Sequence, residues 1–384
     1  MGGRYLSSLA LPLKKEVTAM TEKLPWLALR AIPGVGLVLF QRLVQAFGSP
    51  AAVFEAGLAE LRSIKGVSPA IAKAIASFRD WDRVEAQISG LAAVGAEVLT
   101  QDDPRFPTRL KEIPYPPPYL FVKGTLEAED AQAVALVGTR APSYYGLKTC
   151  RRLAGALAAR GWRVVSGLAR GIDTAAHQGA LENNGRTLAV LGCGLDVVYP
   201  PENDKLYQQI PEQGALISEF PLGTPPEGRN FPIRNRLISG LAWAVVVVEA
   251  GAQSGTHITV QYALDQGREV LAVPGPVDSP NSIGPHRLIQ QGAKLVHEVG
   301  DILQELPRAA GVRPPFRPAA VTEAPPRPIP DDPLLPFLGA DPVQLEELVQ
   351  ASRLPAAEVL SRLTMLELQG LIRELPGKCF ILEN

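Results

Sequence analysis

Six runs of apolar, largely β-branched residues, AVALVG, RVVSG, TLAVLG, ALISEF, WAVVVVEA and EVLAVPG, punctuate residues 133 to 297, and each leads through a turn into a helical stretch. The runs are continuously apolar rather than alternating. A strand of that kind has to be covered on both faces, which is the condition of a parallel sheet sandwiched between helices. The repeated strand–turn–helix order therefore predicts a doubly wound α/β domain. In such a domain ligands bind beyond the carboxyl ends of the strands, so the informative segments are the turns VGTR, SGLARGID, LGCGLDVVYP and EAGAQSGTHIT. Each presents backbone N–H groups at the start of a helix, where partial positive charge favours an anion.

The rest of the 384 residues divides around that domain. Residues 1–23 read as a disordered leader, with Met20 as a second candidate start, and their short apolar patch followed by lysines reverses the charge order of a signal peptide. Residues 24–95 have helical spacing interrupted by IPGVG and IKGVS, 32 residues apart, a pair that looks like tandem helix-hairpin-helix motifs of a SAM-like domain. Such hairpins serve either to hold a DNA phosphate or simply to pack helices. The sheet domain takes residues 96–306. Ten of the thirty residues from 307 to 336 are proline, an extended linker of about 90 Å reach at about 3.1 Å per residue. Residues 337–384 read helix, turn, helix and a hairpin at Pro376 and Gly377, a winged helix. From residue 341 on it carries four basic side chains against seven acidic ones, so it is expected to contact protein, or to be idle, rather than to read DNA.

Three scattered cysteines, Cys150, Cys193 and Cys379, match no metal spacing and suit buried thiols in a reducing, cytoplasmic setting. No apolar run nears the roughly 20 residues of a membrane span, and no membrane role is expected. Neither G-x-G-x-x-G after the first strand nor G-x-x-x-x-G-K-[ST] occurs, so no nucleotide cofactor is expected.

Charge distribution is more telling than the formal net charge of −1. Residues 131 to 170 hold seven basic side chains (Arg140, Lys148, Arg151, Arg152, Arg160, Arg163, Arg170) and no acidic one. Arg140 and Arg170 lie in the turns themselves. The segment NFPIRNRLISGL, residues 230 to 241, with Arg229 before it, adds Arg234 and Arg236 around Phe231. Cations along a rim with an aromatic among them are what an unstacked single strand requires. Phe231 is thus a stacking candidate, against the plainer role of a core ring pinned by Pro232. Asp173 and His177, at i and i+4 near Ser166, suggest acid–base work, but the spacing equally suits a helix-start aspartate and a buried hydrogen-bonded pair.

The runs SGLARGIDTAAHQGAL, GCGLDVVYPPEN, ISEFPLGTPPEGRNFPIRNRLISGL and VVVVEAGAQSGTHIT, followed by GREVLAVPGPVDSPNSIGPHRLIQQGA, resemble the DNA-processing protein A (DprA/Smf) family over about residues 100 to 300. DPRFPTRLKEIPYPPPYLFVKG resembles the lead-in to that family's extended Rossmann domain. The resemblance implies a non-enzymatic, single-stranded-DNA-binding mediator of natural transformation that protects incoming DNA and loads the RecA recombinase. It also implies a homodimer formed through the Rossmann domain. Carried over, the phosphate-binding turn falls on Gly138, Thr139 and Arg140, and the stacking aromatic and its neighbours on Arg229, Phe231, Arg234, Asn235 and Arg236. Ser166, Gly167 and Arg170, with Ser254 and Gly255, complete the expected DNA-binding set. His257 in SGTHIT stands where members usually have leucine. The alternative is a hydrolase similar to the lysine-decarboxylase-like phosphoribohydrolases, whose Pro-Gly-Gly-x-Gly-Thr signature the chain lacks.

Overall fold

The computed structural model of the chain describes residues 22–307, 332–339, 342–369, 371–375 and 377–382. The expected leader, apart from residues 22 and 23, and most of the expected linker lie outside them. Two compact units are present, one ending at Pro307 and one containing the C-terminal domain together with Pro142–Thr149.

The first unit begins with helices α1 (22–31), α2 (Leu37–Phe47), α3 (Pro50–Glu55), α4 (Leu58–Ser63), α5 (Pro69–Ala76) and α6 (Trp81–Ala93). Their boundaries follow from local chemistry. Ser49 and Ser68 accept from Ala52 N and Ile71 N at 3.2 Å, and each is followed by proline in the first helical turn. Both predicted hairpin turns are present, with Gly34 at φ +91° and Gly66 at φ +98°, conformations that a side chain would strain.

The sheet follows, built from β1 (Ala96–Thr100), α7 (Thr108–Lys111), β2 (Tyr119–Gly124), β3 (Ala133–Val137), α8 (Tyr144–Ala158), β4 (Arg163–Ser166), α9 (Ile172–Glu182), β5 (Thr187–Val190) and α10 (Asp204–Gln209). It continues with β6 (Gly214–Ser218), α11 (Asn230–Leu241), β7 (Ala244–Val247), α12 (Thr256–Asp265), β8 (Glu269–Ala272), α13 (Ile283–Gln290), β9 (Lys294–Leu295) and α14 (Val299–Gln304). All six predicted runs are strands. The order is β1-β2-β6-β5-β4-β3-β7-β8-β9, parallel from β6 through β9, with β1 and β2 added antiparallel. Every residue of β3, β5 and β7 is buried, and alternate residues serve different cores: Leu188 and Val190 face one, Ala189 the other. The core that holds Ala189 also takes in Leu29, Leu43 and Ile75, so the N-terminal helices and one face of the sheet share an interior.

Chain order reverses at β3, whose neighbours are β4 and β7. At such a reversal the ligand crevice of a doubly wound sheet is expected at the carboxyl ends of the strands, among the turns that follow them.

The second unit's C-terminal domain comprises β10 (Val343–Gln344), α15 (Leu345–Ser352), α16 (Ala356–Leu368), β11 (Ile372–Leu375) and β12 (Cys379–Leu382), with sheet order β10-β12-β11. Leu348, Val359, Leu363 and Phe380 fill its core. This is the expected winged helix.

Candidate nucleic-acid interface

The turn after β3 is held rigidly. Thr139 N donates to Glu249 O at 2.7 Å, Ile172 N donates to Thr139 O at 3.2 Å, and Ala141 N donates to Thr139 Oγ1 at 3.2 Å. Gly138 has to be glycine here: a Cβ would stand 2.6 Å from Ile172 Cγ1 and 2.7 Å from Glu249 O. The fixed turn leaves Arg140 exposed at its tip, without an ion-pair partner among the described residues. Its guanidinium lies 5.1 Å from the centre of the Phe231 ring.

Phe231, in the first turn of α11, is half-buried. Its ring rests on Gly192, where a Cβ would approach Cδ1 to 2.8 Å, and Tyr199 lies 5.7 Å away, tilted by 37°. Three separated turns therefore converge on one aromatic: Arg140 after β3, Gly192 after β5, and the start of α11. Gly192 and Tyr199 were not among the residues expected from the sequence, although the LGCGLDVVYP turn was.

Several expected ligands of a phosphate prove to be ligands of the protein itself. Arg234 is 3% exposed, and its Nη1 donates to Gly167 O at 2.6 Å and to Val190 O. It ties together the carboxyl ends of β4 and β5, and its Nε donates to Asn235 Oδ1 at 3.1 Å. Burial lowers its pKa to about 10, opposed by the nearby Asp173 carboxylate. Asp173, also buried, accepts from Gly167 N at 3.1 Å and Ala169 N at 3.3 Å. The backbone N–H and C=O of Gly167 are thus both occupied. Ser166 is fully buried, and its Oγ donates to Leu136 O at 2.7 Å. The expected amide cradle in the β4 turn is consequently filled by Asp173 and Arg234, so Ser166, Gly167 and Arg234 build the crevice from behind instead of lining it.

Arg236 is a clearer correction. Five residues along a helix is a rotation of about 500°, a net of about 140°, so Arg236 faces away from Phe231. It is 5% exposed, ion-paired with Glu219 and bonded to Tyr115 O at 2.7 Å. The basic window from 131 to 170 disperses likewise. Arg163 opens β4 and so lies at the amino rim, paired with Asp130 at 3.2 Å; Arg160 bonds Ala156 O, and Arg152 bonds His297 O. Arg170 and Arg229 remain exposed, in surface pairs with Glu202 and Glu227. Such pairs contribute little and exchange readily for another anion. Ser254 accepts from Thr256 N at 3.2 Å at the start of α12, and Gly255 beside it is exposed.

Asp173 and His177 do not form the pair their spacing allowed. His177 Nδ1 lies 2.7 Å from Thr187 Oγ1, its Nε2 has no partner among the described residues, and burial lowers its pKa to about 3. It is a neutral interior histidine. His257 Nε2 lies 3.2 Å from Gly251 O, so the residue that departs from the usual leucine fastens the turn leading into α12.

Fold and crevice together define a Rossmann-like protein with helix-hairpin-helix and winged-helix modules attached. Residues 97–307 match the family described as DNA recombination-mediator protein A, residues 318–378 the DprA winged helix domain, and residues 27–78 a SAM-like helix-hairpin-helix tandem. The chain is 34% identical to Protein Smf of Synechocystis over 94% of its own length and 98% of that protein's. It is 41% identical to Protein Smf of Escherichia coli over 77% and 79%. The crystal structure of DNA processing protein A from Streptococcus pneumoniae superposes with a TM-score of 0.65 at 34% identity, covering 76% of this chain and 98% of that one. The chain belongs to the DNA recombination-mediator protein A family.

Proposed function

We propose that the protein binds single-stranded DNA in the crevice where the turns after β3 and β5 meet the start of α11, and acts there as a recombination mediator by binding, not by catalysis. The observation that carries this reading is Phe231, seated on Gly192 beneath an exposed Arg140 that has no ion-pair partner among the described residues. A half-buried ring fixed by backbone gives an unstacked base a rigid partner, and a guanidinium beside it gives the adjoining phosphate a counterion. Arg170 and Arg229, both exposed, extend that positive rim. The relatives' names, DNA processing protein DprA among them, support the same class of substrate. The finer reading, protection of an incoming strand and its delivery to RecA by a cytoplasmic homodimer, rests on family resemblance. The internal use of Asp173 and His177 supports a binding role, since neither is presented to a substrate. No described helix is long and apolar enough to cross a membrane.

Fluorescence anisotropy with single- and double-stranded oligonucleotides tests the proposal. Phe231→Ala should weaken single-strand binding by about 1–3 kcal/mol while leaving its salt dependence intact. Arg140→Ala should lower the slope of log affinity against log salt by about 0.7. Parent-like binding in both variants would remove the crevice from the function.

A further inference from the structure

We infer that a cavity of about 820 Å³ between the N-terminal helices and the sheet edge is a second binding site, for a nucleotide anion. This goes beyond the crevice, because it lies on the other side of α11. Ile233 and Arg236 line the cavity, whereas Phe231 lines the crevice with the buried Arg234 behind it, so the one helix is a wall of both.

Three properties of the cavity converge on that ligand. Its volume falls in the roughly 300–1,000 Å³ range of small-molecule sites. Its lining carries four arginines against two acidic residues, Asp80 and Glu219, a surplus of two positive charges in a chain whose net charge is −1. Arg236 is already neutralised by Glu219, so the surplus falls to Arg30, Arg79 and Arg83. Arg30 and Arg79 bond backbone carbonyls, Val35 O and Phe78 O, which do not neutralise their charge. Arg83 is exposed and has no partner among the described residues. The third property is a prearranged aromatic wall: Phe78 is held edge-on by Trp81, ring centres 5.0 Å apart, and against the tilted ring of Phe54 at 5.5 Å, and Phe220 lines the same cavity. A cation with no partner among the described residues, lining the same cavity as a ring locked by other rings, suits a phosphate joined to a flat base. The source is either the continuation of the strand bound in the crevice, passing the exposed Arg229 at the start of α11, or a free nucleotide.

The test uses the full chain, labelled oligothymidylates of graded length, and thymidine monophosphate titrated alone. Two variants leave the crevice residues in place: Arg83→Ala, at an exposed position without a partner among the described residues, and Ile233→Trp, which fills the cavity from a side chain already 44% exposed. If the strand continues into the cavity, Ile233→Trp lowers affinity for long oligonucleotides about tenfold. Arg83→Ala then lowers their salt slope by about 0.7, and the shortest oligonucleotides are unaffected. If the ligand is a free nucleotide, the parent and Phe231→Ala bind thymidine monophosphate and both cavity variants lose it. Thermal melting establishes that the variants are folded; should Ile233→Trp melt early, Arg83→Ala carries the test by itself. Parent-like binding of the mononucleotide and of every length by folded Arg83→Ala overturns the proposal. An effect of the cavity variants with none from Phe231→Ala would retain this site and discard the crevice.

Discussion

Replacing Arg234 by methionine separates a guanidinium that builds the crevice from one that grips DNA. Methionine keeps most of the length and removes the charge. Two carbonyls, Gly167 O and Val190 O, lose their donor, and an unsatisfied buried polar group costs about 1–3 kcal/mol. Asp173 loses a nearby charge that opposes its burial penalty, a smaller loss than that of a direct buried ion pair, which costs about 3–5 kcal/mol. These costs overlap, because Asp173 keeps its bonds from Gly167 N and Ala169 N. The guanidinium's own burial, which lowers its pKa to about 10, offsets a further part. A net loss of about 3 kcal/mol is expected, read as a lower urea midpoint at unchanged m-value.

The pH dependence supplies a second reading of the same substitution. Burial raises the Asp173 pKa above 3.8, and Arg234 opposes that rise, so the variant raises it further. A group whose folded pKa is raised binds more protons folded than unfolded, so the stability tied to it is present at low pH and lost as pH climbs through the folded value. The deficit of Arg234→Met relative to the parent should therefore shrink as pH falls toward 4. A variant as stable as the parent at pH 7, whose only defect is a lower salt slope for oligonucleotides, would refute this reasoning and return Arg234 to the phosphate track.

Arg236→Ala strands the buried Glu219 carboxylate, whose pKa burial already raises. It should destabilise the fold by about 3–5 kcal/mol, measured by urea titration, and leave the salt slope of DNA binding unchanged. Gly138→Ala drives a Cβ to 2.7 Å from the Glu249 carbonyl. A loss of about 1–3 kcal/mol from overpacking should appear as a lower melting temperature, together with weaker oligonucleotide binding as the Arg140 turn shifts.

Six of the seven parallel strands were legible because a strand buried on both faces has no polar alternation to blur it. β1 and β2 were not read as strands: they sit in a proline-rich stretch and pair antiparallel outside the repeating pattern. At the site, Arg140 and Phe231 were legible because residues that follow strand ends meet at one rim. The roles of Arg234 and Arg236 were not, because composition counts charges without regard to direction. A helical wheel over NFPIRNRLISGL would have turned Arg236 away from Phe231. Nothing in the sequence identified the partners that absorb those charges, Asp173 at a distance of some sixty residues and Glu219 across a loop. Gly192 went unnoticed because a glycine in a turn ordinarily needs no further reason, whereas here it makes room for a ring.

The cation lying over Phe231 has its own implication for occupancy. Arg140 already caps that ring, so an arriving base has to evict its side chain before it can lie flat. Eviction is easy only when a phosphate waits nearby to receive the guanidinium. An oligomer with an uncharged backbone would therefore forfeit the aromatic platform along with the ionic contact, and free nucleosides would find the seat taken.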